Sequence, residues 1–255
     1  MTSRNANTQP DYGNWVSKRL IYIPAILAVV FAGLSFFNYY FLIIVIAFLV
    51  IMAYFAYAYY AFSPIGRDIQ TRVRAVVLDN LDWDGRGEAL DIGCGNGALA
   101  VKLVHKYPSA SVTGIDYWAG KWGYSQEACE KNAKIEGVSA RSRFRRASAA
   151  ALPFGEGQFD AAVSNFVFHE VMDAKNKRDV VKESLRVVKK GGSFAFQDLF
   201  PNRAMYGDLD SLLAEIRSWG IEEVRYINTS DALFIPRALK LPFMVGAIGI
   251  ICGKK

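Results

Sequence analysis

A long stretch without any acidic or basic side chain constrains this chain more than any other feature of its sequence. The stretch runs from Leu20 to Gly66 and divides near Asn38 into two apolar runs, residues 20–37 and 39–62. As α-helices these runs would be about 27 and 36 Å long, against a bilayer hydrocarbon core of about 30 Å. The turn between them is so tight that the two helices must run antiparallel. The sequence therefore predicts a two-helix transmembrane hairpin.

Basic residues stand on the outer side of both apolar runs. Lys18 and Arg19 precede the first run, and Arg67 follows the second. Because Lys and Arg accumulate in cytoplasmic segments, both ends are expected in the cytoplasm, with two membrane spans between them. A cleaved signal peptide fits poorly, since the second apolar run follows the first at once. Two alternatives stay open: a hairpin inserted in one leaflet only, and a hairpin buried in a homo-oligomer.

Four segments follow from these patterns. Residues 1–19 are predicted to be a cytoplasmic N-terminal segment, and residues 20–62 the hairpin. Ser-Pro-Ile-Gly then ends the apolar run, so residues 63–87 are interpreted as a linker followed by an amphipathic helix. Residues 88–255 have an ordinary content of charged side chains and are predicted to form a globular α/β domain.

Apolar strands alternate with amphipathic helices after residue 87, which predicts a parallel, doubly wound sheet. The predicted strands are 88–92, 111–116, 142–147, 158–165, 192–198, 221–227 and a last one near 244–252. The predicted helices are 67–81, 97–107, 122–136, 176–188 and 206–219. The apolar C-terminal run is too short and too rich in glycine for a third span, so it is interpreted as a buried final strand.

The segment EALDIGCGNG places glycines where the first predicted strand ends. Gly93 and Gly95 lie at the start of the next helix, where a side chain would keep a ligand away from the backbone. With Ala98 they also satisfy the relaxed dinucleotide-binding fingerprint. Asp91 favours a different ligand, because a carboxylate there repels a pyrophosphate but can hold an amino group. Asp116, which ends the second strand, can accept hydrogen bonds from ribose hydroxyls; a solvated aspartate at a strand end is the alternative.

Four ordered motifs resemble those of the class I S-adenosylmethionine-dependent methyltransferases, particularly the group with small-molecule and quinone methyltransferases. The motifs are LDIGCGNG, GID, ALPFGEGQFDAAVSNFVFHEV and LRVVKKGGSFAFQD. The resemblance covers nearly all of residues 67–255. It implies a Rossmann-like, seven-stranded, mostly parallel sheet with an antiparallel last strand, and S-adenosylmethionine as the cofactor. Residues 88–255 are accordingly identified as a methyltransferase domain.

The resemblance also implies which residues bind the cofactor. Asp91 and the glycine loop should hold the methionine part, Asp116 the ribose, and Tyr117 or Trp118 should flank the adenine. The family often has an aspartate where this chain has Ser148, which is a departure. The full set of implied cofactor residues is Asp91, Gly93, Cys94, Gly95, Asp116, Tyr117, Ser148, Ala149 and Asn165.

Two residues are candidates for a general base. His169 follows the fourth predicted strand, and Asp198 ends the fifth. A role in packing or hydrogen bonding is the competing interpretation of each. Tyr206 is a weaker candidate, and His105 is interpreted as a surface residue. An acceptor that is already acidic would need little help from a base.

The sequence thus predicts a membrane-anchored methyltransferase that acts on a small hydrophobic or lipid-like acceptor. A non-catalytic, membrane-bound sensor or scaffold that binds S-adenosylmethionine is one alternative, and a nicotinamide-dependent oxidoreductase is another. Nucleic acid is a poor candidate, because the net charge of +6 is dispersed and no Asn-Pro-Pro-aromatic or Pro-Cys motif is present. No cluster of His, Cys and Asp suggests a metal.

Overall fold

The computed structural model describes residues 9–118 and 123–255. The chain divides into two compact units. One comprises Asn14–Val73, and the other comprises Met1–Gly13 together with Arg74–Lys255. The N-terminal segment predicted for residues 1–19 is therefore shared between the two units.

Two apolar helices make up most of the smaller unit. They are α1 (Arg19–Leu34) and α2 (Phe41–Phe62). Within the unit the Phe31 ring lies 5.7 Å from that of Phe41, measured between centroids. Among the described residues, α2 is the one helix with both the length and the apolar character needed to cross a membrane, whereas α1 is apolar but has 16 residues. The first span and the orientation stay predictions.

The connection between these helices is longer than the sequence suggested. The first helix was expected to reach residue 37, but it ends at Leu34. Its last turn is closed by the Ser35 hydroxyl, which donates to the Ala32 carbonyl at 2.7 Å. Asn38 Oδ1 then accepts the Tyr40 N–H at 3.0 Å, a local turn that competes with helix. Short polar side chains therefore end the helix early.

A seven-stranded sheet forms the centre of the larger unit, in the order β3-β2-β1-β4-β5-β7-β6. The last strand runs antiparallel to both neighbours, and the other pairs are parallel, as predicted. The strands are β1 (Gly87–Ile92), β2 (Ala110–Asp116), β3 (Ser142–Arg146), β4 (Phe159–Asn165), β5 (Val188–Asp198), β6 (Glu223–Asn228) and β7 (Gly249–Lys254). The remaining helices are α3 (Ile69–Asp79), α4 (Ala98–Lys106), α5 (Gln126–Ile135), α6 (Lys177–Arg186), α7 (Arg203–Tyr206) and α8 (Leu209–Ser218).

Apolar side chains cover both faces of this sheet, because successive residues of a strand point to opposite sides. Leu90 and Ile92 pack in one buried cluster together with residues of α6 and α8. Ala89 lies in the other cluster, with residues of α3, α4 and α5. Burial on both faces explains the continuous apolar strands of the sequence.

Several element boundaries differ from the predictions, and three of them differ by four residues or more. The last strand begins at Gly249, because the apolar residues before it belong to a loop, residues 229–248, which Thr229 closes by donating its N–H to the Ile248 carbonyl. Strand β5 begins early, and its register with β4 shifts after Phe159, as at a β-bulge. Helix α5 begins at Gln126, where the Ser125 side chain caps it; the start predicted at residue 122 lies outside the described residues.

The carboxyl ends of the parallel strands meet at one edge of the sheet, here called the carboxyl edge. Asp116, Asn165 and Asp198 are the last residues of β2, β4 and β5, and Asp91 is the penultimate residue of β1. In sheets of this type, ligands bind at that edge. The fold therefore brings the predicted site residues together.

Candidate active site

The loop after β1 requires glycine. Gly93 and Gly95 have positive φ angles of 72° and 58°. A Cβ atom on Gly93 would lie 2.1 Å from the Val167 side chain, closer than any real contact. The N–H groups of Gly93 and Cys94 both donate to the Ile115 carbonyl oxygen at 2.8 Å. These bonds fix the glycine loop against the end of β2.

Asp91 is a buried carboxylate beside this loop. It is 1% exposed, and its Oδ2 atom has no hydrogen-bond partner among the described residues. Burial raises the pKa of the Asp91 carboxyl to about 7, although a hydrogen bond from the Ala100 backbone and the charge of Arg74 act in the opposite direction. A buried carboxylate oxygen without a donor is unfavourable, so the position suits a ligand that brings an ammonium group. The amino group of S-adenosylmethionine meets that requirement.

Asp116 connects the end of β2 to the glycine loop. Its Oδ2 accepts the Gly95 N–H at 2.9 Å, and its Oδ1 accepts the Trp118 N–H at 2.8 Å. Burial raises the pKa of the Asp116 carboxyl, and these hydrogen bonds partly offset the rise. A carboxylate has about four acceptor positions, so it can still receive ribose hydroxyls. The neighbouring Tyr117 ring is exposed, with the Arg146 guanidinium 4.8 Å from its centroid.

Ser148 and Asn165 lie further along the site. The Ser148 hydroxyl donates to Asp173 Oδ2 at 2.6 Å, so a carboxylate lies beside the position where the resemblance leads one to expect an aspartate. The adjacent Ala149 is buried. Asn165 Oδ1 is a second buried oxygen without a partner among the described residues. Asp173 was missed in the sequence because its pairing with Ser148 depends on the fold.

His169 and Asp198 form a hydrogen-bonded pair. His169 Nδ1 lies 2.7 Å from Asp198 Oδ1. The carboxylate is fully buried and is itself fixed by backbone N–H groups, with Phe168 donating to Oδ2 at 2.8 Å and Leu199 to Oδ1 at 2.6 Å. Asp198 thereby holds a proton on Nδ1, which makes Nε2 the basic nitrogen of the neutral ring.

The electrostatics of the pair suit a base near neutral pH. Burial lowers the pKa of His169, but the hydrogen bond and charge of Asp198 outweigh it, and the net shift is upward from 6.5. Tyr206 is also buried beside Asp198, and burial together with that negative charge raises its phenol pKa strongly. Tyr206 therefore stays neutral, which argues against its use as a base.

Three features of the site have no signal in the sequence motifs. Arg74 of α3 is a buried cation whose charge lowers the pKa of Asp91 and acts on Tyr124. Tyr124 packs against Gly95. Residues 11–13 of the N-terminal segment contact Asn96, Asn132, Glu136 and Tyr124. The burial of Arg74 depends on the fold, so no sequence pattern pointed to it.

Comparisons with known proteins indicate a methyltransferase. A family model described as a methyltransferase domain matches residues 90–196. The demethylmenaquinone methyltransferase of Thermus thermophilus is 29% identical over 194 residues, which cover 72% of this chain and 82% of that protein. A ubiquinone/menaquinone biosynthesis C-methyltransferase of Desulfotalea psychrophila is 29% identical over 130 residues, 51% of this chain and 48% of that protein. The chain also spans about half of the length of other curated relatives.

Solved structures share the fold. The geranyl diphosphate C-methyltransferase of Streptomyces coelicolor, in complex with S-adenosyl-L-homocysteine, superposes with a TM-score of 0.53 and 14% identity. The match covers 72% of this chain and 79% of that one.

Proposed function

We propose that this chain is a class I S-adenosylmethionine-dependent methyltransferase that methylates a small apolar acceptor dissolved in the membrane. The match of residues 90–196 to a methyltransferase domain supports this. The loop of residues 229–248 carries the proposal. The loop begins after Asn228 and ends before Gly249, and these two residues are paired with each other. Gly249 is also paired with Asp198 of β5, so the loop starts and ends at the carboxyl edge. An apolar surface at the catalytic edge favours an apolar acceptor.

The cofactor supplies a methyl group that is already activated by a positively charged sulfur. The residues of the carboxyl edge would bind and orient it. Asp91 would accept hydrogen bonds from its amino group, and Asp116 those of its ribose. Asn165, whose buried Oδ1 has no partner among the described residues, would line the cofactor pocket. Correct alignment of the acceptor with the methyl group can supply several kcal/mol of rate enhancement.

His169 would take the proton that the acceptor loses. Asp198 orients the ring and stabilises its charged form, while Nε2 lies 3.6 Å from Glu170 Oε1. General-base catalysis of this kind typically accelerates a reaction by about 10²–10⁴-fold. An acceptor that is a hydroxyl or a weakly acidic carbon would use the pair fully.

Exposed apolar side chains occur in two segments that follow strands of the sheet. Met172 follows His169 by three residues and is 79% exposed. In the loop of residues 229–248, Phe243 is 67% exposed and Leu233 is fully exposed. Arg237 stands on the same loop and could contact an anionic headgroup. Exposed apolar side chains and a cation on one loop are typical of a segment that meets lipid.

We further propose that α1 and α2 anchor the enzyme as a two-span hairpin, with the catalytic domain in the cytoplasm. The length of α2 and the exposed apolar side chains of both helices support this. The basic residues Lys18, Arg19 and Arg67 support the orientation. The Thermus relative is named for demethylmenaquinone, a quinone of the kind that an anchored enzyme could reach.

Partition of a labelled product tests the proposal. Full-length chain in nanodiscs is incubated with methyl-labelled S-adenosylmethionine and either demethylmenaquinone or an extract of apolar membrane lipids. Label should enter the organic phase, and Asp116→Ala should abolish it. The double variant Leu233→Ser/Phe243→Ser should slow transfer while S-adenosylhomocysteine binding stays unchanged. Label confined to water-soluble products would contradict an apolar acceptor. Cofactor binding without any transfer would instead favour the non-catalytic sensor.

A further inference from the structure

The N-terminal residues Pro10–Gly13, here called the strap, lie against the glycine loop. We propose that the strap is part of the cofactor site and that its docking positions the loop for S-adenosylmethionine. This inference rests on the proposed cofactor site. The strap continues directly into Asn14, the first residue of the unit that contains α1 and α2. One short segment therefore links the cofactor site covalently to the apolar helices.

Asn132 binds the strap through both sides of its amide. The Asp11 N–H donates to Asn132 Oδ1 at 2.9 Å, and Asn132 Nδ2 donates to the Asp11 carbonyl at 2.8 Å. Asn132 is 2% exposed, so its amide has little access to water. Buried amide groups are nearly always paired, and leaving one unpaired costs about 1–3 kcal/mol. Loss of the strap would leave this amide short of partners.

Asn96 connects the strap to the glycine loop. It stands between Gly95 and Gly97, and its Nδ2 donates to the Asp11 carbonyl at 3.2 Å. Its own carbonyl accepts Asn132 Nδ2 at 3.0 Å. The strap, the loop and α5 therefore share one partly buried hydrogen-bond network, and the loop cannot shift without disturbing the strap.

The Tyr124 ring fills the space between the strap and the loop. A Cβ atom on Gly13 would lie 2.9 Å from Tyr124 Cε1, and one on Gly95 would lie 3.3 Å from the same ring. Tyr12 adds a further anchor, because its hydroxyl donates to Glu136 Oε1 at 3.3 Å. Gly13 is thus required by close approach as well as by its φ of +68°.

Coupling between the strap and the cofactor follows from these contacts. A docked strap holds Tyr124 over Gly95, the loop residue proposed to face the methionine part of the cofactor. By linkage, a strap that favours the bound loop raises cofactor affinity, and the cofactor stabilises the docked strap by the same factor. Such couplings are typically about 5- to 150-fold.

A matched pair of glycine variants tests the strap. Gly13→Ala and Gly137→Ala both place alanine at a left-handed φ, +68° and +71°, but a Cβ at Gly137 meets nothing within 4 Å. The dissociation constant of S-adenosylhomocysteine is measured by calorimetry on the full chain in nanodiscs. Gly13→Ala should raise it about tenfold. Gly137→Ala should change it less than twofold, because only Gly13→Ala displaces Tyr124.

Two N-terminal deletions test the role of the strap without relying on Gly13→Ala. Removal of residues 1–8 leaves the strap, and removal of residues 1–13 deletes it. The shorter deletion should bind S-adenosylhomocysteine like the wild type, and the longer one should bind it at least tenfold more weakly. Equal affinity in all four variants would overturn the role of the strap alone. A wild-type chain that binds no S-adenosylhomocysteine would instead contradict the cofactor site itself.

Discussion

Replacing Asp91 by asparagine should make the protein more stable and abolish cofactor binding. Burial raises the pKa of this carboxyl from 3.8 to about 7. One pKa unit corresponds to about 1.4 kcal/mol, so keeping Asp91 ionised in the folded chain costs about 4 kcal/mol above pH 7. Asparagine has nearly the same shape and carries no charge, so Asp91→Asn removes this cost.

The effect has a definite dependence on pH. Between pH 3.8 and about 7, folded Asp91 holds a proton that the unfolded chain has lost. The stability of the wild type therefore falls as pH rises through this window, and the full loss is present above it. Asp91→Asn lacks that fall. The free energy of unfolding of Asp91→Asn should exceed that of the wild type by about 1–2 kcal/mol at pH 5 and by about 4 kcal/mol at pH 8.

Thermal unfolding of the full chain, followed by tryptophan fluorescence at pH 5 and pH 8, measures this difference. For a chain of this size, 1 kcal/mol corresponds to about 2–4 °C in Tm, so the variant should gain about 8–16 °C at pH 8 and clearly less at pH 5. S-adenosylhomocysteine should raise the Tm of the wild type only. A variant no more stable than the wild type at pH 8 would contradict this expectation, because it would mean that ionised Asp91 is not destabilising in the folded chain. An equal increase in Tm at both pH values would show that the ionisation of Asp91 is not the cause.

Three further predictions concern single residues. If His169 is the base, the rate of methyl transfer should rise with pH to a plateau above 6.5, because the pKa of His169 is raised. Asp198→Asn should move that rise to lower pH in a pH–rate profile. Gly93→Ala should cost about 1–3 kcal/mol in urea unfolding, since its Cβ would overlap Val167; unchanged stability would contradict the close packing. Arg74→Gln should weaken S-adenosylhomocysteine binding at neutral pH in calorimetry, because Arg74 lowers the pKa of Asp91 and its loss leaves more of that carboxyl protonated; a variant that binds as tightly as the wild type would contradict this.

The strand ends that hold the site could be predicted because their signals are local. The apolar run before Asp91, the glycines after it, and the Gly-Ile-Asp that ends β2 each lie within a few residues of one another. A parallel sheet then places their carboxyl ends at one edge without further information. For this reason the positions of Asp91 and Asp116 at one edge of the sheet could be predicted together with the fold.

Features that depend on distant parts of the chain could not be predicted. His169 and Asp198 were named separately, but their 2.7 Å contact requires β4 and β5 to be neighbours. Asp11 and Asn132 are 121 residues apart, and no pattern relates them. Residues 244–248, the end of the loop of residues 229–248, were mistaken for strand because the buried Val245 and Ile248 give them the hydropathy of a strand. Hydropathy reports burial and does not distinguish a packed loop from a paired strand.

Titration of the full chain with S-adenosylhomocysteine tests the central claim most directly, namely that the carboxyl edge beside Asp91 and Asp116 binds S-adenosylmethionine. We expect one binding site per chain, at least tenfold weaker binding by Asp116→Ala, and no competition by NAD. Absence of binding, or an Asp116→Ala variant that binds as tightly as the wild type, would contradict it.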